Sequence, residues 1–134
     1  MVSFDSEYAQ ISWDEKLKCV VAIWKKFAID EDYQIPMEEG LKLFQQKNTS
    51  KWLADTRKFG VVSKSDQEWI DQNWIPKFAQ TGGTKYVATV LPENVLGRLA
   101  LDAMITKATV QNASIIVKNC GTIEEAKTWL SSQD

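Results

Sequence analysis

Asp55 and Arg57 stand two residues apart at the end of a short apolar run, Trp52-Leu53-Ala54. Alternate residues of a strand project from one face, so their carboxylate and guanidinium converge at the strand's carboxyl end. A loop containing Gly and Ser follows, and a helix is expected to begin near Ser65 and to carry Asp66, Glu68 and Trp69. In open α/β sheets ligands and partners gather at the carboxyl ends of strands, which makes Asp55, Arg57, Ser63, Ser65, Asp66 and Trp69 the candidate partner or ligand site. The chemistry these residues offer is charge pairing and hydrogen bonding. An ion pair or loop anchor is the commoner role for a pair such as Asp55 and Arg57. Ser65 with Glu68 three residues on reads as a capping box, and a phosphate on Ser63 or Ser65 would be favoured by the free N–H groups and dipole of the same helix start. On a helical wheel Ile70, Trp74, Ile75 and Phe78 gather on one side and Trp69 points away, either onto a neighbouring loop or outward as a recognition anchor.

Covalent catalysis finds few tools. The chain contains no His, which removes the commonest general base, the Ser-His-Asp and Cys-His arrangements and most zinc sites. The carboxylates Asp30-Glu31-Asp32, Glu38-Glu39 and Asp66-Glu68 each fall where a helix begins, a placement the helix dipole explains. Gly82-Gly83-Thr84-Lys85 ends a helix and enters a strand, the wrong order for cradling a phosphate. No enzyme activity, cofactor or metal is therefore expected. A net charge of −2 from 16 basic and 18 acidic residues gives no field for a phosphate backbone, so nucleic acid is not an expected partner. Lys16, Lys18, Lys25 and Lys26 read as charges that keep strand ends wet. Cys19 and Cys120 are far apart and read as reduced, semi-buried thiols; with no basic and apolar leader and no stretch of about 18 apolar residues, the expectation is a cytoplasmic protein with no transmembrane segment.

The elements that must position these residues follow from periodicity. Residues 8–13 alternate as an edge strand, with Ala9, Ile11 and Trp13 on one face. Residues 18–27 are apolar on both faces and read as a central strand. A helix carries Tyr33, Met37, Gly40, Leu41 and Phe44 on one stripe, with Pro36 in or near its first turn. After the strand at 51–56 comes the helix at 65–81, broken at Ile75-Pro76 and closed by Gly82-Gly83. A strand at 86–91, a helix at 94–107 burying Leu96, Leu99, Ala100 and Ala103, a strand at 114–118 and a last helix capped by Thr122 and Glu125 complete the chain. The order β-β-α-β-α-β-α-β-α predicts one α/β domain, residues 1–134, on a mixed, mostly parallel five-stranded sheet. Its central strands need cover on both faces, from helices or from a second subunit, which leaves a homodimer open. Trp13, Trp24, Trp52, Trp74 and Trp129 lie on or beside apolar stripes and are expected in the core.

The element order, the Trp-Leu-Ala-Asp-Thr-Arg strand, the Asp66-Gln67-Glu68-Trp69 helix start, the Trp74-Ile75-Pro76 break and the closing Glu125-Ala126-Lys127-Thr128-Trp129-Leu130 together resemble the SpoIIAA-like (STAS-like) domains. These are related in fold to anti-sigma factor antagonists and to CRAL-TRIO lipid-binding domains. The resemblance spans about residues 8 to 131 and implies a β-α superhelix, no cofactor, and binding of a protein or a lipid rather than catalysis. Phosphorylatable members carry Asp-Ser-Ser/Thr-Gly at the helix start, whereas this chain has Val61-Val62-Ser63-Lys64-Ser65-Asp66. The leading expectation is a non-catalytic, regulatory protein-binding module; the alternative is a binder of a lipid or other small apolar ligand. The two differ in the core, because an apolar ligand needs a largely preformed pocket of about 300 Å³ or more.

Overall fold

Apolar residues alternate along residues 9–14 and run without a break along 19–24, and those two segments pair antiparallel as β2 (Ala9–Asp14) and β3 (Cys19–Trp24), with Ile11 opposite Ala22 and Trp13 opposite Val20. The computed structural model describes residues 1–133. A further strand, β1 (Val2–Asp5), pairs antiparallel with β2, so the sheet has six strands rather than the five expected. From β3 onward the sheet is parallel, through β4 (Lys51–Asp55), β5 (Lys85–Val90) and β6 (Ile115–Cys120), and its spatial order is the sequence order. The protein is an α/β fold on a mixed sheet: β1 to β3 antiparallel, β3 to β6 parallel.

Between β3 and β4 lies α1 (Glu31–Lys47); between β4 and β5 a continuous helical segment made of α2 (Lys64–Trp69), a π turn (Ile70–Trp74) and α3 (Ile75–Gln80); between β5 and β6 lies α4 (Val95–Gln111); and α5 (Ile123–Ser131) follows β6. Each parallel strand is added at the same edge of the sheet, and crossovers of one hand then put their helices on one face. That face carries Val20, Ala22, Trp24 and Trp52 against Tyr33, Met37, Leu41 and Phe44 of α1 and Ile70, Trp74 and Phe78 of the broken helix. Its rings interlock: Trp74 stacks on Phe78 at 4.8 Å, Trp52 meets Trp74 edge-on at 5.3 Å, and Trp24 stacks on Tyr33 at 5.2 Å. On the opposite face α5 covers Leu53, Ala88, Val90 and Cys120 with Ala126 and Leu130. Helices thus lie on both faces, while Val21 and Ile23 of β3 stay half-buried and line an open groove.

Several local expectations change. Pro36 lies in the second turn of α1, because the helix starts at Glu31 with acidic residues in its first turn. The break before Pro76 is a π turn in which the Ile75 N–H donates to the Ile70 carbonyl. Proline supplies no N–H for the α-helical ladder, and a π turn absorbs the mismatch. Ser63, rather than Ser65, caps α2: its backbone is extended and its Oγ accepts from the Asp66 N–H at 3.2 Å. Thr122 caps α5 as expected, and Glu125 reaches back to the Gly121 N–H. The largest departure is in α4, where Leu96 and Leu99 are 67% and 64% exposed, Ala103 is exposed and Ala100 half-buried. Gly97, Leu101, Met104 and Ala108 turn inward instead. An element apolar all round gives no stripe from which its buried face can be read.

Candidate ligand-binding cavity

The sheet divides the six candidate residues into two groups. Asp55 shares its face with Leu53, on the α5 side, and is almost fully buried. Arg57 clamps it in a fork, Nε to Oδ1 at 3.0 Å and Nη2 to Oδ2 at 2.8 Å, and the Arg57 N–H adds a third bond to Oδ1 at 3.2 Å. Beside Asp55, and with Glu93 and Glu124 near, the guanidinium holds its proton more tightly than an ordinary arginine. This group is a strand-end anchor that also ties the Glu93 N–H to the Arg57 carbonyl at 3.3 Å.

Asp66 belongs to the other face and is fully buried at 0% exposure. Its carboxylate accepts from the Asp30 N–H at 3.0 Å, the Gln34 side-chain amide at 3.2 Å and the Ser63 hydroxyl at 2.8 Å. The bond to Asp30, a non-glycine residue at φ 53°, ties the strained entry of α1 to the first turn of α2. Ser63 is spent on the cap, and Ser65 stands exposed with its Oγ 3.4 Å from that of Ser63. Trp69 is half-buried and meets Tyr33 edge-on at 6.3 Å, so it packs on α1 instead of standing free. No hydrogen bond or ion pair joins the two groups among the described residues.

A larger feature lies where no polar cluster marks it. Between the sheet and the helices is a cavity of about 340 Å³. Its floor is Trp52 and Ala54 of β4, Val87 and Thr89 of β5, and Val117 of β6. One wall is Ile70, Trp74 and Phe78; the other is Leu101, Met104 and Ala108 of α4; Trp24, Tyr33 and Phe59 close one end. Small residues make the room. Ala54 and Ala108 fill little of the gap between the sheet, the broken helix and α4. Gly97 pins the start of α4, for a Cβ there would stand 2.2 Å from the Gly60 carbonyl oxygen. Across the gap, Lys107 of α4 pairs with Asp71 of the π turn at 3.1 Å, and both belong to the lining together with Lys64, Gln67 and Glu68.

Four cavity side chains, each more than nine-tenths buried, carry polar atoms with no hydrogen-bond partner among the described residues: Trp24 Nε1, Trp52 Nε1, Tyr33 Oη and Thr89 Oγ1. No fully occluded side-chain polar atom lacks a partner among those residues, so these four border open space. Burial also pushes the Tyr33 phenol well above its ordinary pKa, with the Asp66 charge adding to the effect.

Sequence reasoning placed Trp24, Trp52 and Trp74 in the core without the space beside them. The usable signal was the pair of small residues Ala54 and Ala108, which line the space opposite the tryptophans. Among the described residues no group of three or more His, Cys, Asp or Glu side chains is arranged to hold a metal, and no helix is long and apolar enough to cross a membrane. No family model, curated protein or solved structure matches this chain.

Proposed function

We propose that this protein is a non-catalytic binder of a small apolar molecule, held between the sheet and α4. The observation that carries the reading is the cavity of about 340 Å³ with aromatic and aliphatic walls, within the range of preformed ligand sites. It corresponds to the space of about eleven water molecules. A site lined by Trp52, Trp74, Phe78 and Met104 offers its occupant burial, whose gain is about 25 cal/mol per Å² of apolar surface. This favours the CRAL-TRIO-like side of the SpoIIAA-like resemblance, in which the ligand is a lipid or another apolar compound. Titration with the fluorescent probe N-phenyl-1-naphthylamine tests it. Emission should rise and saturate at one probe per protein, and Ala108→Trp, which fills the space, should abolish the rise while the circular dichroism stays native. Equal probe binding by the filled variant would overturn the reading.

A second reading, a STAS-like regulatory module that binds a protein partner, has one observation in its favour. Val95, Leu96, Leu99 and Val110 of α4 are exposed. Light scattering of the purified chain and of Leu96→Glu/Leu99→Glu tests the homodimer form of this reading: a dimer that the substitutions dissociate supports it, and a monomer at all concentrations removes it.

A further inference from the structure

Apolar walls explain why a ligand would enter the cavity, but they do not explain the polar atoms left open inside it. Trp24 and Trp52 present indole N–H groups, which only donate; Tyr33 and Thr89 present hydroxyls, which donate as readily as they accept. A buried donor without an acceptor costs more than a made hydrogen bond returns, so a hydrocarbon lying against these four groups would leave that cost in place. A carboxylate would meet hydrogen-bond donors for its oxygens but no cation for its charge. The lining lysines, Lys64 and Lys107, are exposed, and Lys107 already pairs with Asp71. Lys85, the fully buried lysine, lies outside the lining and donates to the Ala79 carbonyl at 2.8 Å and to Ser114 Oγ at 3.4 Å. An ionised head group would therefore lose its water without a counter-charge inside.

Resting on the apolar-ligand reading above, we infer that the ligand class is an uncharged apolar molecule carrying a carbonyl-type acceptor oxygen, such as a ketone, ester or amide, which the hydroxyl of Thr89 on the cavity floor or of Tyr33 at its closed end receives. The apolar body lies against Trp74, Phe78 and Met104; the acceptor end lies toward the donors. Donor groups set in an apolar wall recognise an oxygen by the penalty of leaving them unpaired, which is how such sites separate otherwise similar molecules.

The test uses butyrophenone and butylbenzene, which differ by one carbonyl oxygen, each competing with the naphthylamine probe on the full chain. Tyr33→Phe/Thr89→Val should weaken butyrophenone about fivefold or more, the loss expected when a ligand's hydrogen bonds go, and leave butylbenzene within about twofold. Thr89→Ser, which keeps the hydroxyl, should restore part of the difference when combined with Tyr33→Phe. The infrared carbonyl stretch of bound butyrophenone should lie below its value in hexane and move back toward it in Tyr33→Phe/Thr89→Val. Equal weakening of both compounds, or a bound carbonyl stretch at the hexane position in the unaltered protein, would overturn the inference while leaving the cavity as an apolar site. Failure of butyrophenone to displace a bound probe would also overturn the inference alone, whereas a probe that does not bind at all would overturn it together with the reading on which it rests.

Discussion

Gly40→Ala should destabilise the protein, although the same change at an unobstructed helix position stabilises by about 1 kcal/mol. A Cβ at residue 40 would stand 2.4 Å from Trp52 Cη2, with Cζ3 and Cζ2 at 3.2 and 3.3 Å. Carbon atoms in contact prefer about 3.5 to 4.0 Å, so the ring must move by about an ångström. Three other rings resist, Trp74 at 5.3 Å, Phe78 at 6.0 Å and Phe44 at 6.1 Å between centroids. Overpacking of this kind costs about 1 to 3 kcal/mol. Taking the upper end and subtracting the helix gain leaves a net loss of about 2 kcal/mol, or roughly 8 °C in Tm for a chain of this size. Urea unfolding followed by circular dichroism reads the change, with Gly82→Ala, where a Cβ meets nothing within 4 Å, as the control. Trp52 also lines the cavity, so the displaced ring should weaken probe binding. A Gly40→Ala protein as stable as the parent, or more so, would refute the placement of Trp52 under α1.

The anchor at Asp66 and the exposed Ser65 should separate cleanly: Asp66→Ala leaves the Asp30 N–H, the Gln34 amide and the Ser63 hydroxyl without their acceptor and should cost about 3 kcal/mol, whereas Ser65→Ala should stay within about 0.5 kcal/mol. Equal urea midpoints for the two variants would contradict this. Burial pushes the Cys19 thiol from 9.0 up to about 12. Below pH 9 the thiol is protonated in both states; above it the unfolded chain ionises first, so this residue's contribution falls as pH rises from about 9 to about 12, by at most about 1.4 kcal/mol per pH unit. Cys19→Ala should flatten that part of the stability profile measured by urea unfolding, and an unchanged slope would count against the burial of the thiol.

Much of the fold was legible because its signals are local. The alternation of Ala9, Ile11 and Trp13 identified β2 and its buried face, the two-sided run at residues 18–27 identified β3, which is shorter at Cys19–Trp24, and Thr122 with Glu125 identified the start of α5. β1 escaped because Phe4 is its only half-buried side chain. Ser63 and Ser65 each stand three residues before an acid, so local chemistry could not choose between them. Tertiary contact chose: Asp66 must face Asp30 and Gln34, which fixes the helix phase and makes Ser63 the cap. The Asp55–Arg57 convergence was legible from strand geometry, and the split between that pair and Asp66 was not, since it depends on which face of the sheet each helix covers. The cavity was hidden for a related reason. Space appears only when elements distant in sequence stand apart, and Trp52, Trp74 and Met104 look the same in a sequence whether they fill a core or line a hole.

The most direct test of a ligand cavity beneath α4 is a crystal structure of the protein pressurised with xenon, an atom that enters dry apolar cavities large enough to hold it. The predicted result is a xenon site bounded by Trp52, Trp74 and Met104, with Lys107 and Asp71 still paired across the gap. The contradicting result is a crystal without xenon there, in which α4 has closed onto Ala54 and Val117 or ordered water fills the space.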